Sequence, residues 1–187
     1  MLHVYHPNKA VKGFACSFWY SEKDNAVFAT ILKQSGWDDK NGNGVFKDSK
    51  NDPTKKVNIK LSAFEVGSIL DCIERNRPFS SFHDHDETPK SIGFNPWMNG
   101  ETLKGYSFAV TVTNKKDTTS KNSFYIGLTF GEARTIREFL VYSLHKIFSK
   151  KAAYKRLSTP EIDPNNSAVV EQPSDAPPAV KDPLTDF

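Results

Sequence analysis

Cysteine is nearly missing from this chain: two in 187 residues, Cys16 and Cys72. Two thiols without a close spacing make neither a disulfide framework nor a zinc site, and they suit a reducing compartment. Long apolar runs are missing too. No stretch of about 18 apolar residues is available to span a bilayer, and the N-terminus lacks the charged-then-apolar order of a secretion signal. A soluble, intracellular protein is expected. Two motifs lack the residue that would complete them. Asp39, Asn41, Asn43 and Gly44 sit at positions one, three, five and six of a calcium-loop pattern, but position twelve is Lys50, where a bidentate Glu is required. His83, Asp84, His85 and Asp86 offer imidazoles and carboxylates, without a third ligand at a recognisable spacing or a nearby nucleophile. No metal and no other cofactor is expected. A metal-dependent nuclease built on those four residues is the minor alternative to a protein that is not an enzyme.

Aromatic rings and a divided charge are what the chain does have. It carries 14 Phe, six Tyr and three Trp, enough for a core and for exposed stacking surfaces. The net charge of +3 conceals a split: residues 157–187 hold six acids and one base (net −5), leaving 24 bases and 16 acids (net +8) on residues 1–156. A basic body with an acidic tail speaks about partners rather than fold.

One pattern occurs twice. VNIKLSAFEVGSILDCIE, from Val57 to Glu74, and FYIGLTFGEARTIREFLVYSL, from Phe124 to Leu144, align at a shift of 67 residues, with Ile59 on Ile126, Leu61 on Leu128, Ser62 on Thr129, Glu65 on Glu132 and Ile69 on Ile136. Each copy is an alternating run, hence a half-buried strand. Each then has Ser or Thr followed by Glu three residues on, which is the capping box of a helix N-terminus. Internal duplication of a strand-to-capped-helix unit follows.

Around these copies the chain reads in order. Residues 1–11 form a loose N-terminal arm. Phe14 to Tyr20 and Ala26 to Gln34 are strands of one hairpin. Residues 35–56 are a flexible, Asn/Gly-rich loop carrying Trp37 and Phe46. A helix runs from Ser62 to about Asn76, with a stripe of Val66, Ile69, Leu70 and Ile73. Residues 79–89 are a solvated connector. Lys90 to Trp97 and Leu103 to Asn114 are strands, and a helix from Thr129 to about Phe148 closes the second copy. Its stripe is Ala133, Ile136, Leu140, Leu144 and Ile147. The fold class is α+β: a β-β-β-α unit given twice, with antiparallel curved sheets each backed by a helix. The repeats span about residues 12–76 and 90–148 within a domain of residues 12–156. Residues 157–187 contain six of the 11 prolines with Ser, Asn, Ala and acids, and are expected to be disordered.

If the helices cover the faces holding Ile59, Leu61, Ile126 and Leu128, the opposite faces carry Asn58, Lys60, Tyr125 and Gly127, and the first strand offers Trp19. Lys33, Trp37, Lys55, Lys56, Lys90, Trp97 and Lys104 stand on strand ends or adjoining loops. Cations interleaved with aromatics on a sheet suit single-stranded nucleic acid: charge for the backbone, rings for unpaired bases.

Strands leading into a capped helix, twice in one chain, resemble the Whirly family and the related positive-cofactor type of transcriptional coactivator. The tail, ending at Asp182, Asp186 and Phe187, resembles the C-terminal tips of bacterial and phage single-stranded-DNA-binding proteins. These resemblances imply a protein that binds single-stranded DNA largely without regard to sequence and acts in replication, recombination or repair. They imply a tail that docks replication or recombination partners and competes with DNA, and a place in the cytoplasm of a bacterial cell or phage-infected host. The two units would supply one pseudo-dimer internally, with larger homo-oligomers open. An RNA-binding or transcription-regulating protein of the same fold is the closest alternative.

Overall fold

The computed structural model describes residues 1–84, 88–116 and 120–157, of which 151–157 are described by backbone alone. Its alternating segments pair into two four-stranded antiparallel sheets. β1 (Leu2–His6), β2 (Phe14–Ser21) and β3 (Ala26–Lys33) come first. An insertion follows, holding β4 (Gly36–Asp38), β5 (Asn43–Val45) and a 3-10 turn at Asp48–Lys50. β6 (Lys56–Leu61) completes the first sheet in the order β1-β2-β3-β6, and α1 (Ala63–Arg75) follows it. β7 (Phe79–His83), β8 (Lys90–Asn99), β9 (Thr102–Thr113) and β10 (Lys121–Leu128) form the second sheet, in chain order, before α2 (Phe130–Leu157).

Each half therefore places four strands ahead of its helix, not the three expected. The expected arm at residues 1–11 contains β1, paired with β2 from Leu2↔Phe18 to His6↔Phe14 and burying Val4. The expected connector after α1 contains β7, whose Phe79 is buried opposite Phe94. Both strands are short and bury a single apolar side chain, so their alternation is too brief to stand out. The expected flexible loop at 35–56 is a hairpin. The Asp38 carboxylate accepts the amides of Lys40 and Asn41 and the Asn41 side-chain NH2, and Gly42 takes φ +66°. Such side-chain closure substitutes for the apolar pattern in specifying a turn. α2 runs past the expected end near Phe148 to Leu157, because neither Gly nor Pro interrupts it before Pro160.

The inner faces of the sheets meet. Phe18, Phe94, Phe108 and Phe124 are fully buried, and the Phe108 ring lies 5.5 Å from Phe18 and 6.0 Å from Phe94. Burying each such ring stabilises the fold by about 1.5–3 kcal/mol. Because the faces occupy each other, neither helix backs only its own sheet, contrary to the expectation of one helix behind each sheet. α1 touches β3 and β6 of the first sheet and β7 and β8 of the second; α2 touches β1 and β3 as well as β9 and β10; and the helices pack together. Val66, Ile69 and Cys72 of α1 and Ala133, Ile136, Leu140 and Ile147 of α2 are the buried stripes. Burial, and then the nearby Asp71, push the Cys72 thiol up to about 11, and burial raises Cys16 further. Neither is a reactive thiolate. At Gly105 (φ +151°) a Cβ would fall 2.1 Å from the Leu128 carbonyl oxygen, so β9 can meet the end of β10 only through glycine.

Both capping boxes form. Ser62 accepts the Glu65 amide while Glu65 takes the Ser62 amide, and Thr129 and Glu132 do the same. Each capping glutamate also receives a histidine from the other sheet's half. His6 on β1 reaches Glu132 of α2 at 2.8 Å, and His83 on β7 reaches Glu65 of α1 at 2.7 Å. β1 and β7 are thus tied crosswise to the starts of α2 and α1. Among the described residues no helix is long and apolar enough to cross a membrane.

Candidate nucleic-acid interface

Antiparallel register places outward side chains in rows across the first sheet. Trp19, Phe28 and Lys60 stand abreast; so do His3, Ser17, Thr30 and Asn58; so do Tyr5, Ala15, Leu32 and Lys56. In the first row Trp19 stacks on Phe28 at 5.4 Å and 14°, and the Lys60 ammonium lies 5.9 Å from the Phe28 ring centre. In the second row His3 bonds Ser17 at 2.8 Å and Thr30 donates to Asn58 at 2.6 Å. The third row is partly roofed by the insertion. Phe46 meets Tyr5 edge-on at 6.0 Å, Lys56 donates to the Lys50 carbonyl, and Ala15 is buried. What remains open is a half-buried pair of rings flanked by Lys60 and Asn58, both exposed.

The second sheet's outward face is different. Its rows are Phe82, Ser91, Thr111 and Ser123; then Ser80, Gly93, Ala109 and Tyr125; then Asn95, Ser107 and Gly127; then Trp97 and Gly105. Of the two lysines in these registers, Lys121, opposite Thr113, is on the outward parity, whereas Lys90 is on the inward one. Small residues make the floor, while Phe82, Tyr125 and Trp97 stand exposed around it.

The expected site residues therefore divide. Trp19, Lys56, Asn58 and Lys60 share the first sheet's outer face; Trp97 and Tyr125 belong to the second. Lys33 sits on the inner side of β3, bonded to Asn122 and 4.7 Å from the Phe124 ring centre, and burial lowers its ammonium pKa. It braces the two sheets. Lys90 heads β8 in register with His83 and Val112, on the inward parity of Ile92. Trp37 lies in the insertion hairpin with a buried Nε1. Lys55 is half-buried before β6, its carbonyl accepting the Lys33 amide at 2.8 Å, and Lys104 is exposed beside the Trp97–Gly105 pair. Asp182, Asp186 and Phe187 lie outside the described residues, as do His85 and Asp86. His83 is engaged by Glu65, Asp84 pairs with Lys115 at 2.7 Å, and no cluster of three metal-ligating side chains exists among the described residues.

Sequence reasoning missed Phe28 and Thr30. Their strand was legible, but its outward parity depends on the pairing of β3 with both β2 and β6, which no local signal reveals.

Solved structures share this architecture. The chain is 16% identical to WHY3 from Arabidopsis thaliana, with a TM-score of 0.55 over 85% of this chain and 96% of that one. It is 16% identical to WHY1 from Arabidopsis thaliana (TM-score 0.54, 84% and 92% covered). The plant transcriptional regulator PBF-2 gives 15% identity and a TM-score of 0.56, with 84% and 87% covered. No curated protein matches the chain significantly. The family model for the Whirly transcription factor matches residues 43–139, from β5 into α2 and just over half of the chain. This chain is a member of the Whirly transcription factor family.

Proposed function

We propose that this protein binds single-stranded DNA largely without regard to sequence, and that it is not an enzyme. The observation that carries the reading is the open part of the first sheet's outer face, where stacked Trp19 and Phe28 stand beside Lys60 and Asn58. Rings stack on any base and are worth roughly 1–3 kcal/mol each, while ammonium groups displace counterions from phosphate. The +8 body supplies the surrounding field.

The role we assign is coating DNA exposed in replication, recombination or repair, in the cytoplasm of a bacterial cell or phage-infected host. The two four-strand-and-helix halves are copies of one unit acting as an internal pseudo-dimer, and whole chains assemble further into homo-oligomers. The acidic tail, through Asp182, Asp186 and Phe187, docks partner proteins and competes with DNA for the basic body. Membership of a transcription-factor family favours a second reading, in which the same face regulates transcription or binds RNA.

Fluorescence anisotropy of a labelled single-stranded oligomer, with single-stranded RNA and duplex DNA of the same sequence as competitors, tests this. Binding should prefer single-stranded DNA and fall steeply with salt. Preference for RNA would install the second reading, and affinity indifferent to salt would remove both. Deleting residues 158–187 should leave the fold intact and raise DNA affinity; unchanged affinity would remove tail competition.

A further inference from the structure

We infer that the cleft where the β1–β2 loop overhangs the second sheet is a pocket for one unpaired nucleobase, a subsite separate from the first sheet's face. The inference rests on the proposed single-strand binding and specifies where one base of the strand is taken out of line.

The cleft has a volume of about 530 Å³. Its walls are Trp97 and Tyr125, which are 53% and 58% exposed although both stand on a sheet. Phe14 backs Tyr125 at 4.8 Å between ring centres. Gly127 lines the cleft beside Trp97; a Cβ there would meet the Trp97 ring at 3.8 Å, ordinary contact distance, so a larger side chain would take up cleft space. Asn8 and Lys12 form the rim.

The rim is held in place from beneath. Gln34, only 4% exposed, accepts the amides of Asn8 (2.9 Å) and Gly13 (3.1 Å) and donates to the carbonyls of Asn8 (3.0 Å) and Gly36 (2.7 Å). The Asn8 side chain in turn accepts the Lys12 amide at 3.0 Å. Between them Val11 takes φ +55°, a left-handed conformation that a β-branched residue adopts only under constraint. Strain of this kind persists where the surroundings over-determine it, and it collects at ligand clamps. The loop is therefore a fixed rim whose backbone carries Lys12 at the edge of an aromatic-walled cleft. A flat ring between Trp97 and Tyr125 with its phosphate at Lys12 matches that chemistry.

The test uses the full chain and a labelled oligothymidylate, intact and with abasic positions. Gly127→Val fills the slot and Trp97→Ala removes a wall; each should weaken binding of the intact oligomer about tenfold. Each should also shrink the penalty for abasic positions, which a purely structural defect would not do. Trp97→Phe, which keeps a ring, should bind nearly as the parent does, and covers the case in which Gly127→Val fails to fold. Folded Gly127→Val and Trp97→Ala proteins with parental affinity and an unchanged abasic penalty overturn the pocket. If Trp19→Ala/Lys60→Ala then loses binding, the pocket alone has failed; if the parent protein does not bind the oligomer, the single-strand reading has failed with it.

Discussion

The two sheets share one core and one order of strands, yet their outer faces differ in kind. On the first, the alternate positions of β6 are Lys56, Asn58 and Lys60, and the neighbouring strands add Phe28 and Trp19. On the second, the equivalent strand β10 offers Ser123, Tyr125 and Gly127, over a floor of Gly93, Ala109 and Ser107. Inner positions are bound by a common demand, because Ile59 and Leu61 and their partners Ile126 and Leu128 must all be buried. Outer positions carry no such demand and can diverge. The first face is a charged, ringed platform and the second a shallow trough with ringed walls. One surface suits an extended strand and its phosphates; the other suits a single flat group.

The sharpest way to break this comparison is to remove what both faces stand on. Phe108 touches Phe18 of the first sheet and Phe94 of the second. Phe108→Ala should destabilise the protein by about 3–5 kcal/mol in denaturant unfolding, and loosen both faces together. Next comes the platform alone. Trp19→Ala should lower single-stranded DNA affinity about tenfold in anisotropy titrations, with the salt slope unchanged because no cation is lost. Lys60→Ala should instead reduce that slope by about 0.7. The opposite pattern for these two substitutions would mean that ring and cation do not have separate roles.

The crosswise latches give a smaller, acid-sensitive contrast. Burial opposes the charge on Glu65, but bonds from Ser81, the Ser62 amide and His83 outweigh it and hold the carboxyl below its ordinary value. Glu132 is likewise lowered against burial, by the Thr129 amide, His6 and the Thr129 hydroxyl. A carboxylate depressed by folding adds stability above its unfolded value, near 4.3, and that stability is lost as pH falls through the folded value. Stability against thermal unfolding should therefore fall from about pH 4 downward. Glu65 is the more enclosed, its side chain 13% exposed against 29% for Glu132. Glu65→Ala should cost roughly 1–3 kcal/mol and flatten more of the acid profile than Glu132→Ala does. Equal effects would show that the two latches are energetically alike despite their surroundings.

Much of this was legible along the chain. Alternation and capping boxes located β2, β3, β6, β10 and both helix starts, and Trp19, Asn58, Lys60 and Tyr125 stood on the outward parity that the repeated unit implied. Those signals are local: a side chain's face follows from its position along a strand, and a cap from four successive residues. β1, β7 and the insertion hairpin were not legible, since each depends on a partner elsewhere or on one carboxylate closing a turn. Nor could composition separate Lys33, drawn inward to Asn122, from Lys60, left on the surface.

By itself the sequence determined the α+β class, the basic body with its acidic tail, and the alternation that splits each long strand into a buried and an exposed side. Only the tertiary structure decided that the two inner faces pack on each other, that each helix serves both sheets, and that Gln34 holds the β1–β2 loop at the cleft lined by Trp97 and Tyr125. The physical reason is range. Periodicity acts between near neighbours, whereas strand register, sheet-on-sheet packing and a clamp joining residues 8, 13, 34 and 36 exist only once distant segments have come together.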